Sequence, residues 1–344
     1  MDGVLKVEKK VSCMTTRPNH PYRQSIPPEI LALSHERDLL RRRGQYARAD
    51  ILKRQIEDAG YIIKDNPRGA HLIILPSIDV DGTVYRTTRQ LPSFLHDADR
   101  CTFSINLLAH NSLEQTRRCV ESILRHAAQT DLEIVLIDNA SQDGLDLWAS
   151  ALKHNEPRLR VIRASKVMGE AEARNLGLKQ SRGRYILLLD TSIELTGDIF
   201  TPLAQALSNS EIGIAGLRGL RTGDLRHFEP SDESEVEAID GRCMAFRRKQ
   251  LRRAGLFDEH YRFAAYMDID FTFAIRDSGS QAITLPKLPL IYHADQPVDG
   301  LSDAERTRRT KRNFYRFLEK WGDREDLLLD QEEEYKEDDI GVEE

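Results

Sequence analysis

Cysteine is scarce in this chain, and long apolar runs are missing from it altogether. The four cysteines, Cys13, Cys101, Cys119 and Cys243, lie far apart with no Cys-x-x-Cys spacing. That excludes a disulfide framework, argues against a zinc site, and leaves reduced, structural thiols as the expectation. No stretch reaches the ~20 apolar residues that a bilayer crossing requires, and Met1–Glu8 has no signal-peptide core. A soluble cytoplasmic protein is expected, with peripheral membrane contact as the alternative. What the chain does have is 344 residues and 40% hydrophobic content, enough for one large buried core and an appendage. The net charge of −6 conceals a split: residues 323–344 hold 12 acidic and 2 basic side chains, so residues 1–322 sum to +4. An acidic run of this kind reads as a solvated, disordered tail.

Residues 1–27 hold Pro18, Pro21 and Pro27 with little periodicity and read as a flexible leader. From Pro28 apolar residues recur every three or four positions on both sides of Gly44 and stop at Gly60, which predicts a helical hairpin. Apolar runs on either side of Asp79-Val80-Asp81-Gly82 predict strand, turn, strand. Residues 28–90 are therefore expected to form a small α+β module. Its arginines, Arg41, Arg42, Arg43, Arg48 and Arg54, suit either RNA or a solvated helix face. Balancing acids (Glu36, Asp38, Asp50, Glu57) and the lack of an aromatic platform favour the plain face.

From residue 101 the pattern alternates between strand and helix, as in a doubly wound sheet. Apolar runs at Phe103–Leu108, Glu133–Ile137 and Tyr185–Leu189 end in Ala109-His110-Asn111, Asp138-Asn139-Ala140-Ser141 and Asp190-Thr191-Ser192. Helices are expected at Leu113–His126, capped by Ser112, and at Glu170–Gln180. Polar groups thus collect at the carboxyl ends of parallel strands, where open α/β sheets bind ligands. Asp138 could accept a hydrogen bond from a nucleobase N–H with Asn111 facing the same crevice, although Asp, Asn and Gly are also ordinary turn formers.

The ordered set, completed by Gly169–Gly177, Asp240–Arg248, Ala254–Glu259, Tyr266–Phe271 and Leu290–His293, resembles the inverting family 2 glycosyltransferases over residues 101–322. That resemblance implies an α/β, Rossmann-like GT-A fold and transfer of a sugar from a nucleotide-diphosphate donor to a saccharide or lipid-linked acceptor. It implies donor contacts from His110, Asn111, Asp138, Gly169, Arg174 and Asp190. Mg²⁺ or Mn²⁺ would be held by Asp190 and His293, and Asp268 would be the general base, with Asp270 as second choice. Three departures stand out: His110 replaces a usual Tyr, Ser192 the second carboxylate of Asp-x-Asp, and Met267 a Glu. The last two leave open a degenerate fold that binds without turnover. Residues 28–70 are also similar to the C-terminal tail of cysteinyl-tRNA synthetases, which would make the module an RNA tether, the less favoured use. Arg306–Trp321 is expected as a basic amphipathic helix, packed on the body or lying on an anionic membrane.

Overall fold

The computed structural model describes residues 26–66, 69–127, 129–293 and 301–329, and two compact units divide the chain between Ile73 and Ile74. In the first unit helices α1 (Pro28–Arg42) and α2 (Tyr46–Asp58) pack as a hairpin, followed by β1 (Tyr61–Asn66), which pairs with β2 (Gly69–Ile74). Gly44 (φ 72°) and Gly60 (φ 93°) take the left-handed turns that end the two helices. Ile30, Ile56, Ile63 and Leu72 form the core. Arg37 is buried, donates to Asp65 Oδ2 at 2.9 Å, and Arg41 meets the same carboxylate at 2.9 Å. Part of the basic face is thus neutralised within the unit.

The second unit runs β3 (Ile78–Val80), β4 (Thr83–Tyr85), β5 (Cys101–Ala109), α3 (Leu113–His126), β6 (Leu132–Asp138), α4 (Leu145–Asn155), β7 (Leu159–Ala164), α5 (Glu170–Gln180), β8 (Gly183–Leu189), β9 (Ile193–Leu195) and α6 (Phe200–Ser208). It continues with β10 (Ile212–Gly216), β11 (Gly219–Arg221), β12 (Glu229–Ser231), β13 (Ala238–Ile239), β14 (Cys243–Arg247), α7 (Leu251–Ala254), α8 (Met267–Arg276), β15 (Gln281–Thr284), β16 (Leu290–Tyr292) and α9 (Asp303–Trp321). Nine strands form one sheet in the order β15-β10-β14-β8-β5-β6-β7-β3-β4. Strands β8, β5, β6 and β7 are parallel, and β14 joins β8 antiparallel, so the sheet is mixed.

The central strands are mostly apolar because helices cover both faces, and their buried polar residues are hydrogen-bonded, as Ser104 is to Glu133. Successive side chains of β8 serve opposite layers: Tyr185, Leu187 and Leu189 pack with α3 and α6, Ile186 and Leu188 with α8. Helix α5 lies close on β5 because residue 177 is glycine; a Cβ there would stand 2.1 Å from Asn106 Oδ1.

Three expectations need correction. The hairpin around Asp81-Gly82 does not belong to the N-terminal unit: β3 pairs with β7 (Ile78 opposite Ala164), because Ile78 and Val80 complete an apolar layer with Ile162, Val135 and Ile137. Ser112 makes no capping bond at α3; Asp143 Oδ2 accepts from the Leu113 N–H at 2.7 Å instead, a cap supplied by another loop. The acidic segment does not leave the body at residue 323, since Leu327 is buried and the Leu329 N–H donates to Glu237 Oε1 at 3.0 Å. The rest of the tail, residues 330–344, and leader residues 1–25 lie outside the described residues, as does Cys13. Cys101, Cys119 and Cys243 are free, and burial pushes the Cys243 thiol up to about 12. Among the described residues no helix is long and apolar enough to cross a membrane.

Candidate active site

The parallel strands bring their carboxyl ends to one edge of the sheet. Asp138 ends β6 and is buried; its Oδ1 accepts from the Ser141 N–H at 2.8 Å, which closes the turn. Its Oδ2 is buried without a hydrogen-bond partner, and Arg163 Nε, 3.5 Å away, supplies only charge. A buried acceptor left open in this way is costly unless something donates to it, and a nucleobase N–H would. Asn111, at the end of β5, is held at φ 49° with its Oδ1 accepting from the Gln142 N–H at 2.7 Å. His110 Nδ1 meets the Asn139 carbonyl at 2.8 Å. Both side chains therefore tie the first loop to the second. Asn139 in turn accepts from the Met168 N–H at 2.8 Å, fixing the loop before α5. We predict that Asp138→Ala lowers UDP affinity by about tenfold or more, read by calorimetry. An unchanged titration would remove Asp138 from the donor site.

Asp190 follows β8 and is partly exposed; its Oδ1 takes hydrogen bonds from both the N–H and the hydroxyl of Ser192. Ser192 thus braces the remaining carboxylate where a second carboxylate was expected. Two residues on, Glu194 sits in β9, which pairs antiparallel with β16, and the Ser192 carbonyl accepts from the His293 N–H at 3.0 Å. Glu194 Oε2 lies 2.8 Å from His293 Nε2. A carboxylate on one imidazole nitrogen orients the ring and leaves Nδ1 free to act as a ligand. Glu194 is a site residue that its sequence position only hinted at, since the pairing partner lies 99 positions away.

Asp268 stands in the first turn of α8, half-buried, with Oδ2 accepting from the Gly241 N–H at 2.8 Å and Oδ1 from its neighbour Ile269 at 3.0 Å. Burial, seconded by the charge of Asp240, pushes its carboxyl up to about 6 despite those donors. Glycine at 241 suits the close approach: a Cβ there would lie 3.0 Å from Asp268 Cβ. Tyr266, the residue before α8, is held at φ 66°, a strained conformation for a non-glycine residue, two positions before Asp268. Asp240 and Arg242 form a fork, Arg242 Nε to Asp240 Oδ1 at 2.8 Å, and the Arg242 guanidinium covers the Tyr292 ring at 4.9 Å. The Arg242 carbonyl also accepts from the Asp190 N–H at 2.8 Å. A continuous run of contacts therefore joins His293, Ser192, Asp190, Arg242, Gly241 and Asp268.

Residues 104–271 match the profile described as Glycosyl transferase family 2. Just under half of the chain is therefore similar to that family. Solved structures agree on the fold. GalNAc-T7 with UDP, GalNAc and Mn²⁺ is 18% identical over 66% of this chain and 49% of its own, with a TM-score of 0.57. The mannosyltransferase PcManGT from Pyrobaculum calidifontis, in complex with GDP-Man and Mn²⁺, is 19% identical over 67% of this chain and 69% of its own, with a TM-score of 0.51. At such identities the likeness establishes a GT-A fold and nothing finer. Among curated proteins, Glycosyltransferase GlyG of Streptococcus pneumoniae is 25% identical over 38% of this chain and 40% of its own. The chain spans 27% to 48% of the length of the first curated relatives it matches.

Gly169, Arg174, Met267 and Asp270 all make contacts within the body of the protein. Gly169 faces Arg262, whose Cγ would lie 3.0 Å from an added Cβ, so its small size serves that packing. Arg174 is largely buried on α5 with its guanidinium 3.3 Å from Glu170 Oε1, the helix salt bridge that competed with a diphosphate contact. Met267 points into the core with Phe257, Leu251 and Phe271, so residue 267 offers nothing to an acceptor. Asp270 is buried and accepts from Trp321 Nε1 at 2.8 Å and Lys320 Nζ at 2.9 Å. It fastens α9 to α8. Asn313 of α9 donates to the carbonyls of Phe263 and Ala265 at 2.9 and 2.8 Å, fixing the segment before Asp268. One face of α9 thus packs on the body.

Proposed function

We propose that this protein is an inverting glycosyltransferase that moves a sugar from a nucleotide-diphosphate donor to an acceptor hydroxyl. The observation that carries the reading is Asp268: a half-buried carboxylate, fixed by two backbone N–H groups and poised near neutrality, at the sheet edge that also bears Asp138, Asp190 and His293. In a single displacement the acceptor oxygen attacks the sugar C1 while its proton passes to Asp268. The bond from C1 to the diphosphate oxygen breaks, and its electron pair leaves with the nucleotide. Asp138 Oδ2 receives a base N–H, and His110 and Asn111 hold the loop that shapes the nucleoside crevice.

Asp190 and His293 are the residues that would hold Mg²⁺ or Mn²⁺: a carboxylate oxygen and an imidazole nitrogen, the ring oriented by Glu194, are donor types that such an ion accepts. The fit is that of two protein ligands and no closed cage: among the described residues no three His, Cys, Asp or Glu groups are gathered for a metal. When bound, the ion would neutralise charge on the departing diphosphate.

Calorimetric titration with UDP tests both parts of this reading. UDP is expected to bind more tightly with Mn²⁺ than with EDTA, and His293→Ala to bring the two curves together. Coincident curves in the unaltered protein would refute the Asp190–His293 assignment, and no UDP binding in either buffer would count against a uridine donor. Opposite anomeric configurations of donor and product, read by NMR, would support direct displacement; retention would overturn it.

Residues 28–70 enter this reading only as a tether to RNA. Salt-dependent RNA binding that disappears when they are deleted would support the likeness to synthetase tails.

A further inference from the structure

The segment Asp240–Arg242 links the diphosphate end of the site to the proposed base. The Arg242 carbonyl accepts from the Asp190 N–H at 2.8 Å, and the Gly241 N–H donates to Asp268 Oδ2 at 2.8 Å. A donor with its diphosphate at Asp190 and its sugar C1 facing an acceptor near Asp268 must lay that sugar along this segment. The side chains around it therefore bear on which sugar is accepted.

A small pocket beside the segment has Arg218, Asp240, Arg242 and Tyr292 as its polar lining, so two guanidiniums meet one carboxylate. That carboxylate is spent within the protein. Asp240 Oδ1 accepts from the Arg242 N–H at 2.9 Å and from Arg242 Nε at 2.8 Å, and Asp240 Oδ2 accepts from Arg242 Nη2. The same fork fixes the Arg242 guanidinium over the Tyr292 ring. Arg218 is exposed, and among the described residues no carboxylate lies within ion-pair distance of it. What the lining side chains have left for a ligand is chiefly hydrogen-bond donors and one net positive charge. Neutral sugar hydroxyls both donate and accept, and call for side chains that do the same. A carboxylate only accepts, and its two oxygens match a planar guanidinium with two parallel hydrogen bonds.

We propose that the transferred sugar carries a carboxylate, as a uronic acid does, and that Arg218 recognises it together with the Arg242 guanidinium and the Tyr292 hydroxyl. This deepens the transferase reading and rests on it. The full chain is titrated calorimetrically with UDP, UDP-glucose and UDP-glucuronate in Mn²⁺ buffer; the two sugars differ only in a hydroxymethyl group against a carboxylate. UDP-glucuronate is expected to bind at least about tenfold more tightly than UDP-glucose. Arg218→Ala should bring the two within about twofold of each other while UDP affinity stays within about twofold of its original value. Arg218→Gln, closer in shape, is expected to do the same, and circular dichroism checks that both variants fold. Equal binding of the two sugars, tighter binding of UDP-glucose, or an unaltered preference in both variants would overturn the proposal and leave the transferase reading standing. A loss of UDP affinity in the variants as large as the loss for UDP-glucuronate would move Arg218 to the diphosphate and overturn the proposal as well. Binding of none of the three would strike the uridine-donor reading itself, and the proposal with it.

Discussion

Asp268→Asn is expected to reduce sugar transfer by about 10³-fold or more while UDP affinity stays within about twofold, because the amide keeps the shape and the hydrogen bond from Gly241 yet cannot take the acceptor proton. Steady-state turnover and calorimetry on the same preparation check the two halves, and retained turnover would remove Asp268 as base. The pH profile adds a second signature. The base works ionised, and burial with the neighbouring Asp240 charge pushes its carboxyl up to about 6. Activity should therefore fall as pH drops through about 6 and level off above it. Stability moves the other way. A carboxyl raised in the folded state favours folding while protonated, a contribution present below its unfolded value and lost as pH rises through 6. The unaltered enzyme thus bears an ionised, half-buried group at pH 8 that the Asn variant does not. The variant should melt at a higher temperature there by an amount corresponding to roughly 1–3 kcal/mol.

Asp270→Ala is expected to have the largest effect on stability, about 3 kcal/mol in denaturant unfolding, by leaving the buried Trp321 N–H without an acceptor and releasing Lys320. The contacts of Phe317 and Trp321 with Phe273 and Ile269 join the same two helices, so α9 should loosen where α8 holds Asp268. Asp270→Asn retains an acceptor for Trp321 and should lose far less stability and keep turnover. Asp268→Asn and Asp270→Asn together decide which of two neighbouring carboxylates does the chemistry: one is expected inactive and folded, the other active and folded. The reverse pattern would exchange their roles.

The roles of these two carboxylates illustrate how far the chain could be read without coordinates. Apolar periodicity located α3 at Leu113–His126, which buries a regular stripe, because that pattern is local, whereas α5 at Glu170–Gln180 is buried nearly all round. The polar strand ends at Asn111, Asp138 and Asp190 were legible for a similar reason: a parallel strand buried on both faces must be apolar until it emerges. The β3–β4 hairpin was assigned to the wrong unit because a strand records which of its faces is apolar and never which sheet will cover it. The contact of Glu194 with His293 was not legible because the two residues meet only through the pairing of β9 with β16. Met267 stood out only as a departure from the expected Glu, and its side chain lies in the core; Arg174 lies beside Glu170, the helix salt bridge that its i, i+4 spacing allowed.

The sequence by itself determined the order of strands and helices, the absence of a membrane-spanning helix among the described residues, and the carboxylates available for chemistry, all of which depend on near neighbours along the chain. Only the tertiary structure decided how those carboxylates differ. Asp138 keeps an unpartnered oxygen, Asp190 is braced by Ser192, Asp268 is raised by burial beside Asp240, and Asp270 is committed to Trp321. Desolvation and hydrogen bonding set the properties of a carboxylate, and both come from residues that folding brings together from distant parts of the chain.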